Sequence, residues 1–182
     1  MNGNAEHMEQ RRSDASDAIV NSDAQKRLVV AGPGTGKSFT FQRALEAVGG
    51  NGIALTFIRS LVAALKNDLA GLADVFTFHG YCKYLMHQHD VAGLNDGDYY
   101  PPLMELVVED LRVCDVIETS TDLIEERLHT LEESDGVIPA ALEGADYYTA
   151  VSHTDLVYRV LKHFEDAPES IPESPLIVVD EY

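Results

Sequence analysis

Basic residues are scarce in this sequence of 182 residues: 13 lysines and arginines stand against 31 acids, a formal net charge of −18. Taken whole, that balance argues against a nucleic-acid binder, because contact with a phosphate backbone needs a basic face. The bases are unevenly placed, however. The stretch from Lys26 to Lys66 holds most of the lysines and several arginines, while acids crowd the chain between Asp96 and Asp180, so a local binding face is compatible with the total. Cysteine is nearly absent, and Cys82 and Cys114 show no metal or redox spacing, which leaves them as free thiols. Long apolar runs are absent too, none approaching the roughly 18 residues of a membrane span. The opening MNGNAEHMEQRRSDASD is polar and charged and has no apolar segment of a secretory signal. These absences exclude membrane-spanning and disulfide-stapled classes and predict a cytoplasmic protein. A hydrophobic content of 45% suits a globular chain with a real core.

The periodicity of the chain predicts its organisation. Residues 1–16 carry little pattern and are expected to be flexible or only partly ordered. Leu28-Val29-Val30 reads as a short buried strand entering a glycine-rich turn. KSFTFQRALEAV then reads as a helix stopped by Gly49-Gly50. IALTF, from Ile53 to Phe57, reads as a second strand, SLVAALKNDLAG as a helix ended by Gly71, DVFTF as a third strand, and YCKYLMHQ as the start of another helix. Strand–helix alternation of this kind predicts an α/β fold with a parallel sheet and helical crossovers. The core is expected over residues 17–92. Residues 93–175 read differently, as an acidic and mostly helical insertion. PLMELVVEDLRVC and TDLIEERLHTLEE are helical in pattern, with Asp122 and Glu125 as a candidate capping pair. SHTDLVYRVLKHFED places Leu156, Val157, Val160, Leu161 and Phe164 on one face. Pro168, Pro172 and Pro175 lead back to a last strand in residues 176–182, LIVVDEY.

The strongest motif is AGPGTGKS, Ala31 to Ser38. It matches the Walker A pattern, with Ala31 where the strictest form has glycine. Gly32, Gly34 and Gly36 allow backbone angles that turn successive N–H groups toward phosphate oxygens, and Pro33 and Thr35 fill the loop between them. The helix starting near Lys37 adds the positive end of its dipole. Lys37 is suited to reach β and γ phosphates, and the Ser38 hydroxyl to ligate Mg²⁺. The bland alternative is a glycine-rich turn that happens to contain Gly-Lys-Ser, but the expected apolar run before it and helix after it favour an ATP site. In that setting Asp180, at the end of LIVVD, is a candidate magnesium ligand, and Glu181 a candidate base for the attacking water. Two solvated acids at a strand end remain the alternative. Phe39 reads as core or as a surface for base or ribose stacking.

With these motifs placed, the chain resembles the N-terminal RecA-like domain of UvrD/Rep-type superfamily 1 DNA helicases. VVAGPGTGKS resembles that family's motif I, LTFIRSLVAAL motif Ia, TFHGYC motif Ib and IVVDEY motif II, in the family's order between Leu28 and Tyr182. The resemblance implies a P-loop NTPase sheet, ATP and Mg²⁺ as cofactors, and single-stranded DNA as partner. It also implies a helicase activity of 3′–5′ polarity and an insertion in the place of the family's accessory subdomain. By the same resemblance Thr56, Phe57, Arg59, Thr77 and His79 lie on the DNA-facing side. Phe57 would be available to stack on a base, and Arg59 and Lys66 would meet phosphates. On their own residues, Phe57 also reads as core and His79 as a partner for backbone. Two departures stand out. Upstream of the loop, where the family has an adenine-reading glutamine, the neighbourhood is DASDAIV, with Gln10 and Gln25 at other spacings; and Arg59 replaces the usual motif Ia asparagine. Family motif II continues with Gln-Asp, so the ending at Tyr182 reads as a truncation within it. A chain lacking the second RecA-like domain is expected to bind nucleotide but not to translocate. The alternative function is a non-motor nucleotide-binding module acting through a protein partner.

Overall fold

The computed structural model describes residues 3–30, 32, 34–91, 98–132 and 136–180, which fall into two units. One comprises Met1–Thr77 and Glu173–Tyr182, the other Phe78–Pro172. The first is α/β. Its elements are α1 (Gly3–Val20), α2 (Lys37–Ala47), β1 (Gly52–Thr56), α3 (Val62–Asp68), β2 (Ala73–Thr77) and, after the second unit, β5 (Ile177–Asp180). The three strands make one parallel sheet in the order β2-β1-β5.

The sheet's register explains its core. Ala54 of β1 stands opposite Val75 of β2 and Val178 of β5, so the three side chains share one face. Leu45 of α2 with Leu65 and Leu69, in and just after α3, close over that face in a single buried cluster. Gly52 is glycine for a packing reason: a Cβ there would lie 2.2 Å from Leu45 Cδ2 and 2.9 Å from the Leu176 carbonyl oxygen. The expected strands and crossover helices of residues 37–77 are thus present within a residue or two of their sequence bounds. Helix α2 stops at the glycine pair, where the Gly49 and Gly50 N–H groups donate to Glu46 and Leu45 carbonyls.

Two expectations for this unit fail. Leu28–Val30 is not a strand, and Leu28 and Val30 are 83% and 91% exposed. Among the described residues no strand pairs with this run, so nothing covers its apolar side chains. Residues 1–16, expected to be flexible, lie largely within α1.

The second unit holds α4 (Phe78–His89), β3 (Asp98–Tyr99), α5 (Leu103–Val113), α6 (Thr121–Thr130), α7 (Val137–Tyr147), β4 (Ala150–Val151) and α8 (His153–Asp166). Strands β3 and β4 pair in parallel over two residues. Helix α4 packs with α8 through Cys82, Leu85, Met86, Leu156 and Val160, so the division falls before α4 rather than near residue 93. Burial pushes the Cys82 thiol up to about 11, which keeps it protonated and inert at neutral pH. A second cluster joins Met104 and Val108 of α5, Ile124 and Leu128 of α6, Ile138 and Ala141 of α7 and Tyr158 of α8. Helix α8 therefore contributes to two clusters, and Leu161, expected on its buried face, is exposed.

The caps also differ from expectation. Helix α6 is capped by Ser120, whose hydroxyl accepts the Leu123 N–H, and not by Asp122 with Glu125. Helix α8 starts with a capping box of Ser152 and Asp155. Asp155, fully buried, also accepts from Arg159 Nε at 3.0 Å; Arg159 Nη2 lies 2.8 Å from Asp146 and donates to the Leu142 carbonyl at 3.0 Å.

Candidate functional site

The loop before α2 is built around backbone that side-chain-bearing residues rarely adopt. Gly34 has φ +70° and Gly36 φ +91°, and Gly36 is the N-cap residue of α2. Thr35 stabilises the turn, its hydroxyl donating to the Gly32 carbonyl at 2.7 Å. The N-cap Gly36 supplies no side-chain cap to α2, and a helix N-terminus is the end that attracts anions. Ala31 and Pro33 lie outside the described residues, as does Glu181, the candidate base.

The parallel register brings the other half of the site to the same place. Thr56, Thr77 and Asp180 are paired across the sheet, the last residues of β1, β2 and β5, and so form one row at its C-terminal edge. Ligand sites of open parallel sheets lie outside that edge. Lys37, the first residue of α2, reaches toward it: its Nζ is 4.0 Å from Asp180 Oδ1, with side-chain exposures of 30% and 13%. This ammonium–carboxylate pair sits at the exit of β5 and the entry of α2. That is the arrangement required of a phosphate-binding lysine and a metal-ligating aspartate. Among the described residues no three His, Cys, Asp or Glu side chains cluster as a metal cage. A Mg²⁺ held by Ser38 and Asp180 would take its other ligands from phosphate and water.

The chain matches no family model, no curated protein and no solved structure.

The residues expected to face DNA are distributed unequally. Thr56 is fully buried, and its hydroxyl accepts the Ile58 N–H at 3.1 Å. It shapes the turn after β1 from inside and offers no surface to a strand, which corrects its expected role. Phe57 is half-exposed, so it is not core. Arg59, in a 3-10 turn leading into α3, lines a cleft of about 460 Å³ with Val62, Ala63, Lys66, Val75, Phe76 and Thr77. Two cations and a threonine thus share one opening in the first unit. His79 belongs to the second unit. Its ring stacks on His153 at 3.5 Å between centroids and 18° between planes, and His153 Nδ1 lies 2.5 Å from the Tyr99 hydroxyl. Burial, then the charges of His153 and His129, hold His79 below the usual imidazole range.

Two residues near the loop, Arg43 and Arg12, carried no clear signal in the sequence, and a third, Phe39, read as core or as a stacking surface. Phe39 is exposed rather than core, with the Arg43 guanidinium 5.8 Å from its ring centroid. Arg43 itself pairs with Asp17 of α1. Arg12, also on α1, lies against the loop. A lone arginine in a polar segment has no pattern to mark it, and only the packing of α1 beside the loop brings it there.

Proposed function

We propose that this chain is the ATP-binding part of an ATP-dependent DNA helicase, with a P-loop NTPase fold and with ATP and Mg²⁺ as cofactors. The observation that carries the reading is the 4.0 Å approach of Lys37 to Asp180 beside a loop that turns through two left-handed glycines. Lys37 neutralises the terminal phosphates, the loop and first turn of α2 supply N–H donors, and Ser38 and Asp180 hold the cation. Bound Mg²⁺ supplies charge neutralisation at the transferring phosphoryl group. Glu181 is assigned as the base on its place in the sequence. Single-stranded DNA is proposed to run along the cleft of Arg59, Lys66 and Thr77, with Phe57 as a stacking surface.

Calorimetric titration of the chain with Mg·ATP tests the nucleotide site. Lys37→Ala is expected to weaken binding by about 1.5–3 kcal/mol, roughly ten- to a hundredfold in Kd. Wild-type chain that ignores Mg·ATP, or binding that survives Lys37→Ala, would sink the assignment. For DNA, an oligothymidine should bind in a salt-dependent way and weaken in Arg59→Ala. The net charge of −18 favours a second reading, a nucleotide-binding module that acts through a protein partner. ATP binding without any DNA binding is the outcome that selects it.

A further inference from the structure

We propose that Arg12 is a positioning residue of the phosphate cradle, holding two of its peptide planes in the orientation that anion binding needs. This rests on the nucleotide-binding reading above. Arg12 projects from α1 and bonds two successive carbonyls of the loop: Nε donates to Thr35 O at 3.0 Å and Nη2 to Gly34 O at 2.5 Å. A trans peptide unit is planar, and its C=O and N–H point in opposite directions. The Gly34 carbonyl shares its plane with the Thr35 N–H, and the Thr35 carbonyl shares its plane with the Gly36 N–H. By fixing both oxygens on the α1 side, the guanidinium turns both N–H groups to the other side. Among the described residues the Thr35 N–H bonds at a long 3.4 Å to the Gly32 carbonyl, a contact that a phosphate oxygen would replace at little cost.

Neighbouring residues suit this role. A Cβ on Gly36 would stand 3.4 Å from Arg12 Nη2 and 3.7 Å from its Nε and Cζ, so the guanidinium lies directly against the loop at the residue whose φ of +91° calls for glycine. Helix α1 is anchored, not loose. Asp17 pairs with Arg43 of α2, and Arg27 donates to the carbonyls of Ile19, Ser22 and Ala24, which fastens the end of α1 to the turn that follows. The rigid fork of arginine reaches two adjacent carbonyls from one side chain, whereas lysine supplies the same charge as a single point. A charge effect and a positioning effect are therefore separable.

Calorimetric titration with Mg·ATP and thermal melting of the nucleotide-free chain, in wild type, Arg12→Ala and Arg12→Lys, test the proposal. About tenfold weaker ATP binding is expected in both variants, with the melting temperature of the free chain unmoved. Lysine binding ATP as well as wild type would overturn it, because charge alone would then suffice. So would unchanged affinity in both variants, or a loss of affinity that only tracks a fall in melting temperature. If Arg12→Ala does not fold, Arg12→Lys still decides. Wild-type chain that fails to bind Mg·ATP removes the nucleotide site and this inference together; binding by wild type with indifference to residue 12 removes this inference alone.

Discussion

In the helical unit Arg159 and Asp155 are buried as an ion pair, whereas in the sheet unit Ile177 and Val179 of β5 stand 49% and 42% exposed. The unit with the weaker sequence motifs encloses even its charges, and the unit with the strongest motif leaves apolar strand residues in water. The contrast follows from how each covers its elements. Two clusters of helices share α8 in one case, while in the other a three-stranded sheet has α2 and α3 over one face and ends at β5 as an edge strand. The helical unit has exposed apolar side chains too, Val113 at 74% and Tyr147 at 85%, but they lie outside the two clusters that share α8.

The largest effect that would break this comparison is expected at Arg159. Arg159→Ala leaves Asp155 buried without its cation and should cost about 3–5 kcal/mol, read by urea unfolding. A cost within about 0.5 kcal/mol would mean that the interior of this unit is wet. Next in size, Leu156→Ala should destabilise by about 2–5 kcal/mol through lost burial and a cavity. Val179→Ala, on the exposed side of β5, should stay within about 0.5 kcal/mol. Equal losses would remove the distinction between the units.

Acid gives a smaller effect with a defined sign. His79 is held below the usual imidazole value of about 6.5, so below that pH the unfolded chain binds the extra proton first. The contribution of this group to stability is complete above the unfolded value and declines as pH falls toward the folded one. The denaturation midpoint of wild type should therefore drop with acid more steeply than that of His79→Phe, which keeps a ring for His153 to stack on. Parallel pH profiles for the two proteins would exclude His79 as the titrating group.

Much of this was legible in the sequence where one period ran long enough. Helix α8 has an apolar face and a serine cap, and β1, β2 and β5 are apolar runs bounded by turns. Helix α7 escaped because Pro139 and Gly144 look like breakers. In the structure Pro139 sits in the first turn, where no N–H is needed, and a Cβ on Gly144 would stand 2.6 Å from Val107 Cγ1, so that glycine serves close packing on α5. Helix α1 escaped because it has no apolar stripe and is tied instead by Arg12 and Asp17. At the candidate site, the loop and Asp180 were readable because their chemistry is local. The burial of Thr56 and the pairing of His79 with His153 were not, since both depend on neighbours far away in the chain.

The pairing of β1 with β5 has a consequence for how the molecule assembles. Val178 joins Ala54 only after all of residues 78–172 have been spanned. An unstructured tether of that length pays a loop-closure entropy that a folded one largely avoids. The helical unit closes its clusters without β5 and should therefore become protected first, with the strand carrying Asp180 arriving last. Until that late step the lysine of the loop has no carboxylate opposite it, and pulsed amide exchange during refolding should see β5 protected after α8.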